Sequence, residues 1–438
     1  MRLRKPRLSF WQIWNMNVGF FGIQYSFGLQ QSAVNPIYDF LGANAHEIPL
    51  LNLAGPVTGL LIQPLVGAMS DKTWHPKLGR RKPYFFIGAL ICSICLFAFP
   101  FSSSLWMAVG LLWILDAGNN TAMEPYRAFI ADKLDDEQQP LGFQMQSFFT
   151  GLGQTLANIS LFIFPMIFIG KTGSLPTWVY ASFFLGAVCS IGSILWSMKT
   201  TSEIPPTKEE LQKLQEEQSG IFSPFIEIIK AIKEMPKVMW QLALVYVFQW
   251  YALFCYWQNS SKSIALSVWD ATPQSNIEAY EKAVSWTGLV NGWYNVVTFL
   301  VAFLLVGLAK KYSPKKVHFF CLILAAIGFL MFPEIQNKEL LFVAITGFGI
   351  GWASMMGIPY LMVVHDIPKE RYGVYMGIIN VMIVLPMIFQ SLSFGYILKN
   401  FLNNDPRNAI SFAGVLLLLA AVCTLLIKNT DKNEQVIS

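Results

Sequence analysis

Charged residues are scarce in this chain. Only 13% of its 438 positions are Asp, Glu, Lys or Arg, against about 25% in soluble domains. Hydrophobic residues make up 54%, and the mean hydropathy is +0.46. The four histidines (His46, His75, His318, His365) are scattered at loops or at the ends of apolar runs. There is no H-E-x-x-H, phosphate-binding loop, G-x-S-x-G or paired C-x-x-C. These absences argue against a hydrolase, an ATP-driven pump, a metal site and any cofactor. All six cysteines lie inside apolar runs. Cys92 and Cys95 have redox-motif spacing but no polar support, so buried thiols acting as small hydrophobes are expected. A net charge of +5 gives no reason to expect a nucleic-acid partner. Arg2, Arg4, Lys5 and Arg7 precede an apolar run that is too long for a cleavable signal and has no small-residue cleavage site.

What the sequence does have is apolar runs of spanning length. They fall near 10–34, 47–70, 84–101, 105–131, 140–169, 176–198, 237–261, 283–309, 315–333, 339–365, 371–399 and 408–427. Such runs must be helices in lipid, where every backbone polar group has to be satisfied within the segment. With the N-terminus placed in the cytoplasm, the inner connections hold 24 Lys and Arg and the outer ones 6, Lys262 among the latter, with Arg127 left inside a span. That asymmetry predicts an all-α membrane protein of twelve helices with both termini inside.

Residues 199–236 form the one long polar connection. Thr207 and Glu210 have the spacing of a capping box for a short charged helix. Ile221, Phe225, Ile228, Ile229 and Ile232 then line one face beside Lys230 and Lys233, as in a helix on the inner leaflet; a solvated linker fits equally. The halves on either side, 1–198 and 237–438, are related. Pro125-Tyr126-x5-Asp132 ends span four, and Pro359-Tyr360-x5-Asp366 ends span ten. Val66-Gly67 after span two matches Val306-Gly307 after span eight. Two six-helix halves in the same orientation are the parallel repeats of a major facilitator fold.

Span four carries Asp116, Glu124 and Arg127, and ionisable groups within a span mark a transport path by default. From Asp116, Arg127 is rotated by about 20°, Asn120 by about 40° and Glu124 by about 80°, so the four share a stripe. At the repeat offset their charged members become Ile350, Ile358 and Leu361, an asymmetry that a structural ion pair does not explain. Loss of water favours the neutral form of a carboxyl group, and a nearby guanidinium favours the charged one. Asp116 is therefore the expected proton carrier, with Glu124 next, and Arg127 the charged substrate contact. Asn17, Gln24 and Gln31 recur every seven residues on span one. Gln154 and Asn158 share a face on span five, as do Asn291 and Asn295 on span eight. Span seven offers Gln249, Trp250, Tyr256, Trp257 and Asn259. Amides and aromatic faces suit an uncharged polyol, although amides also join membrane helices and aromatic residues anchor helix ends.

Gln24-Y-S-F-G-L-Q-Q-S-A-V-N-Pro36, L-A-G-P-V-T-G-L-L-I-Q-P-L-V-G-A-M-S-Asp71, Gly79-R-R-K-Pro83, Asp116-A-G-N-N-T-A-M-E-P-Y-R-A-F-I-A-Asp132 and Gly377-I-I-N-V-M-I-V-L-Pro386 together resemble the sucrose-transporter branch of the glycoside–pentoside–hexuronide:cation symporters, over almost the whole chain. The resemblance implies proton-coupled disaccharide uptake, with Asp116 as the protonated aspartate and Arg127 as the essential arginine. Glu124, in place of the uncharged residue usual in plant members, and the short loops suggest a bacterial inner-membrane member, for maltose or another α-glucoside or for sucrose. Gly67, Asp71, Gly79, Arg80 and Arg81 match the inner-loop gate motif of major facilitators, and Asp132 is assigned to the same gate. The spacing from Asp71 to Gly79 is longer than in the general motif, and Lys311 replaces Asp71 in the repeat. The expected partners are a sugar, a proton and the bilayer, with the protein a monomer. The alternatives are a sodium-coupled glycoside carrier, a non-transporting sugar sensor and a drug exporter.

Overall fold

The computed structural model describes residues 5–135, 137–205, 223–363 and 372–427. Nearly all of them are helical. The first part of the chain forms α1 (Phe10–Phe40), the single turn α2 (Ile48–Leu51), α3 (Ala54–Lys72), α4 (Lys82–Ala98), α5 (Leu105–Lys133), α6 (Gln139–Ile167) and α7 (Thr177–Thr200). A two-stranded ribbon, Lys171–Thr172 with Leu175–Pro176, joins α6 to α7. Then come α8 (Ser223–Lys233), α9 (Lys237–Trp269), α10 (Ile277–Tyr312), α11 (Pro314–Met331), α12 (Leu341–Val363), α13 (Tyr372–Phe401) and α14 (Pro406–Leu425).

Among the described residues, nine helical segments are long and apolar enough to cross a membrane. The long helices α1, α5 and α10 fall outside that set, and they carry all the charges and several of the amides singled out above within the spans. Trp106, Ile169, Leu300 and Phe401 are each at least 66% exposed; apolar side chains so placed belong against lipid rather than water. This is a multi-pass membrane protein.

Two compact units can be told apart, one comprising the chain up to Ile226 with Pro273–Gly292, the other Glu227–Thr272 with the chain from Trp293 onward. In the first, α1 packs on α6 and α7, and α4 on α5 and α7. In the second, α9 packs on α13 and α14, and α11 on α12 and α14. The four pairings correspond one to one, so the internal repeat of the sequence reappears as repeated packing. Small residues permit it. A Cβ at Gly88 of α4 would lie 2.6 Å from the Gly118 carbonyl of α5, and one at Gly328 of α11 would come closer still to the Ala344 carbonyl of α12. Backbones this close are what drive helix association in lipid, where apolar burial gives no advantage.

One expectation needs correction. Lys262 lies within α9, 8% exposed, and not in an outer loop. The helix runs to Trp269 because Gln258, Asn259 and Ser260 to Ser263 are buried in protein, where polar side chains do not end a span. His318 lies near the start of α11, at the end of its apolar run, and is fully buried with Nδ1 2.8 Å from Ser354 Oγ. The amphipathic segment forms α8, with Ile226 and Ile229 more than half exposed. The short charged helix expected from Thr207 lies outside the described residues, as do His365 and Asp366.

Gly118→Val would drive a branched side chain against Cys92 Sγ and the Gly88 carbonyl, 2.9 and 3.0 Å from the Cβ position. Overpacking of this kind costs about 1–3 kcal/mol. Gly110→Val, on the same helix with open space around it, is the control. Thermal unfolding in detergent should show the first variant clearly destabilised and the second not; equal melting would contradict the close α4–α5 packing.

Candidate functional site

The polar stripe of α5 faces a glycine stripe on α3. A methyl group at Gly55 would sit 3.5 Å from Asp116 Oδ2, one at Gly59 would sit 3.9 Å from Asn120 Oδ1, and one at Gly67 would sit 3.6 Å from Glu124 Cγ. Residues four apart on a helix share a face, so α3 leaves room where α5 places its polar groups. Asn120 fills part of that room. Its amide donates to Thr58 Oγ1 at 3.0 Å and to the Asp116 carbonyl at 2.9 Å, and it accepts from Gln63 Nε2 at 2.6 Å.

Asp116 is 2% exposed, and its Oδ1 has no hydrogen-bond partner among the described residues. Leaving a buried charge unpaired is costly. Glu124 and Arg127 sit farther along α5, 3.9 Å apart, with side chains 37% and 45% exposed. Arg127 therefore does not neutralise Asp116 within its own helix.

The predicted sugar contacts of the first unit are linked to one another. Gln154 donates to Gln24 at 2.9 Å. Ser32 donates to Asn158 at 2.6 Å and accepts from Asn291 at 3.0 Å. Gln31 is half-buried on the next turns of α1. In the second unit, Gln249 is fully buried, with neither amide atom partnered among the described residues. Asn295 is 5% exposed. Tyr256 is also fully buried, stacked on Phe329 at 4.6 Å with Phe348 and Phe332 around it. Its ring is part of an aromatic core here. Trp352, which sequence reasoning missed, is half-buried and meets Trp250 and Trp257 edge-on at 5.8 and 5.6 Å.

Several of the residues expected to form the gate assemble around Arg81. Its guanidinium, 5% exposed, lies 2.5 Å from Asp71 and 2.8 Å from Asp132, and also donates to Ser70 Oγ at 2.6 Å. Burial disfavours its charge, but Asp132 and Asp71 outweigh that and hold the group protonated beyond its ordinary range. Arg80 donates to the Asp71 carbonyl at 2.5 Å. The long spacing is absorbed by a turn in which His75 and Gly79 exchange backbone hydrogen bonds of 3.0 and 2.8 Å. Gly79 has φ +82°, and a Cβ there would lie 2.5 Å from Glu203 Cδ; both facts require glycine.

Glu203 joins this cluster and was missed by the sequence reading. Helix α4 has no side-chain cap of its own. The Glu203 carboxylate, arriving from beyond α7, accepts from the backbone N–H of Arg80, Arg81 and Lys82 at 2.7, 2.9 and 2.9 Å. An anion at a helix N-terminus meets free N–H groups and the positive end of the dipole. The only signal in sequence was a basic loop in need of a counter-charge, and Glu203 was absorbed into the linker. Glu203→Gln should cost about 1–2 kcal/mol of stability, read as a lower melting temperature in detergent; an unchanged melt would remove Glu203 from this role.

Comparisons with known proteins agree with this architecture. The chain is 22% identical to the sucrose transport protein SUT5 of Oryza sativa subsp. indica, over 92% of this chain and 85% of that one. It is 24% identical to the sucrose transport protein SUC4 of Arabidopsis thaliana, over 85% and 81%. Among solved structures, the nucleoside transporter NupG superimposes with a TM-score of 0.66 at 13% identity, covering 96% of this chain and 97% of that one. The xylose transporter XylE from E. coli, in a partially occluded inward-open conformation, gives 0.62 at 14%, covering 94% and 98%. These likenesses show the fold. The family description Major Facilitator Superfamily matches residues 16–389 and 263–437, and the chain belongs to that superfamily as a transporter, not an enzyme.

Proposed function

We propose that this transporter takes up a disaccharide together with a proton across the cytoplasmic membrane. It does so through twelve spanning helices in two six-helix halves, 1–198 and 237–438, joined by 199–236 with both termini inside. The observation that carries the reading is Asp116: a carboxyl group buried midway along a long helix, facing a glycine, with an oxygen that no described protein group satisfies. Such a group is stable when neutral and has to be partnered when charged, which is the behaviour of a proton carrier. The sugar reading is supported by the amide-rich helices and by relatives named for sucrose transport.

In this mechanism Arg127 and Glu124, half-exposed toward one end of α5, meet substrate from that side. Gln24, Asn120, Gln154 and Asn158 exchange their present hydrogen bonds for sugar hydroxyls, and Gln31 joins them from the next turns of α1. In the second half, Gln249 and Asn295 offer buried amides, whereas Tyr256 contributes only by leaving its aromatic stack. The cluster of Gly67, Asp71, Gly79, Arg80, Arg81 and Asp132 holds one conformation and opens in the other. Two carboxylates on one buried guanidinium make a contact that helix movement either keeps whole or loses.

The test is uptake into proteoliposomes under an imposed pH gradient, against a panel of disaccharides. The parent should concentrate at least one of them. Asp116→Asn, fixed in the neutral form, should retain sugar exchange between equal compartments while its accumulation ratio falls to one. Ile350→Val, at the repeat position, should accumulate sugar as the parent does. Accumulation by Asp116→Asn at the parent level would contradict the proposal, and accumulation that follows sodium instead of pH would replace the proton with Na⁺.

A further inference from the structure

The first turns of α10 belong to the first unit, although the helix runs on to Tyr312 and the second unit resumes at Trp293. Their contacts form a continuous seam against α1 and α6. At one end of it Tyr280, fully buried, donates from Oη to Asp39 Oδ2 at 2.5 Å, and Asp39 is itself 5% exposed. The Tyr280 ring meets Phe40 edge-on at 5.7 Å, and Phe40 meets Trp178 of α7 at 6.4 Å. Farther along, Ser285 donates to the Phe162 carbonyl at 2.9 Å, and Trp286 stands 6.0 Å from the Phe162 ring. Gly288 lets the backbones meet: a Cβ there would lie 2.9 Å from the Asn158 carbonyl and 3.2 Å from Leu161 Cβ. The seam ends at Asn291, which donates to Ser32 Oγ at 3.0 Å, and Ser32 donates in turn to Asn158 at 2.6 Å.

Asp39 lies at the end of the unit away from Arg81. Lys5 Nζ donates to the Leu134 carbonyl at 3.0 Å and the Leu8 N–H to Gln138 Oε1 at 2.8 Å. The start of α1 is therefore beside the end of α5, where Asp132 holds Arg81. Asp39 is the penultimate residue of that helix, roughly 45 Å farther along it at about 1.5 Å per residue. From Tyr280 to Asn291 the seam runs about 16 Å, around half the thickness of a bilayer's hydrocarbon core. Hydrogen bonds at both of its ends, with a glycine contact between them, leave no passage for a sugar between these helices.

We propose that this seam is the outer gate of the transporter and that Tyr280 is a positioning residue that latches it through Asp39. The inference rests on the proposed topology and on uptake from outside, and it does not depend on which cation is coupled. The two ends of the seam hold differently. At the Asn291 end the hold is shared with the sugar. Asn158, proposed as a sugar contact, gives up its bond from Ser32 when it takes a sugar hydroxyl, and Asn291 then loses a fixed partner. At the Tyr280 end the hold is independent of sugar. A bond from a phenol to a carboxylate out of water is strong while its geometry is kept and is lost when the helices part. Sugar thus loosens one end, and the Tyr280–Asp39 bond sets how readily the gate stands open. Removing that bond shifts the population toward the open state.

Tyr280→Phe keeps the ring on Phe40 and removes the donor. Ser285→Cys, added to the full-length protein with and without Tyr280→Phe, places a thiol in the seam that a membrane-impermeant maleimide reaches from outside only when α10 parts from α6. Labelling in sealed right-side-out vesicles, corrected for protein lacking Ser285→Cys, should be about tenfold faster or more with Tyr280→Phe, as expected for a lost hydrogen bond to a carboxylate. A lower melting temperature with an unchanged labelling rate is what a merely structural role would give, and it would overturn the latch. The second measurement fastens the seam. The Cβ positions of Gly288 and Leu161 are close to the spacing of about 3.8 Å found in disulfides, so Gly288→Cys with Leu161→Cys should cross-link on oxidation. The oxidised protein should take up no disaccharide, regain uptake on reduction, and still bind sugar from the inner side. Uptake by the cross-linked protein at the reduced rate would overturn the gate. Where the reduced double variant is itself inactive, the labelling rates decide alone. Uptake by the parent that follows sodium instead of pH would overturn the proton reading and leave both readouts here unchanged.

Discussion

A buried carboxyl group on a long helix, with an oxygen that no group among the described residues partners, sets the terms for the rest of this molecule. Taking a lone ionised carboxylate out of water costs more than any single contact can return, so under the proposed coupling the surrounding helices have to accommodate a neutral acid at one time and a charged one at another. Around Asp116 they do this by omission. Gly55 brings no side chain near the carboxylate, and Thr58, Gln63 and Cys92 direct their donors elsewhere. The second unit keeps the same helix pairings but has Ile350 at the corresponding position, so the packing scheme itself does not require the charge.

The cluster around Arg81 is built on the opposite principle. Arg81 is surrounded by acceptors, with Asp71, Asp132 and Ser70 on its guanidinium and Glu203 on its backbone N–H. These groups come from α3, from the ends of α5 and α7, and from the start of α4, so one residue ties four segments at one end of the unit. Charge-assisted contacts are strong when their geometry is kept and weaken steeply when it is lost. Such a cluster suits a structure with discrete states. Close glycine contacts, as at Gly88 and Gly118, let α4 and α5 keep their packing while contacts at their ends change.

Much of this was legible in the sequence, for reasons that can be named. Helical periodicity placed Asp116, Asn120, Glu124 and Arg127 on one stripe, and the repeat marked their charges as dispensable for packing. Periodicity within one helix cannot reveal which helix it faces, so the glycine stripe of α3 came only with the structure. Hydropathy ended span seven at residue 261 because it measures polarity, whereas the helix continues wherever polar groups are buried in protein, as Lys262 is. Glu203 caps a helix about 120 residues earlier in the chain, a pairing no local pattern encodes. Aromatic side chains are the hardest to read from sequence: Tyr256, expected among the sugar contacts, is stacked in an aromatic core here, while Trp352, not singled out, stands half-buried against two other tryptophans.

The central claim, that sugar and proton move together, is tested most directly without any imposed gradient. Purified transporter in weakly buffered proteoliposomes, with equal pH and no sodium on either side, is given a transported disaccharide from outside while the external pH is recorded. The account predicts that the medium turns alkaline as sugar enters, that a protonophore abolishes the pH change, and that sugar the protein does not carry produces none. Sugar entry with no movement of protons would contradict it.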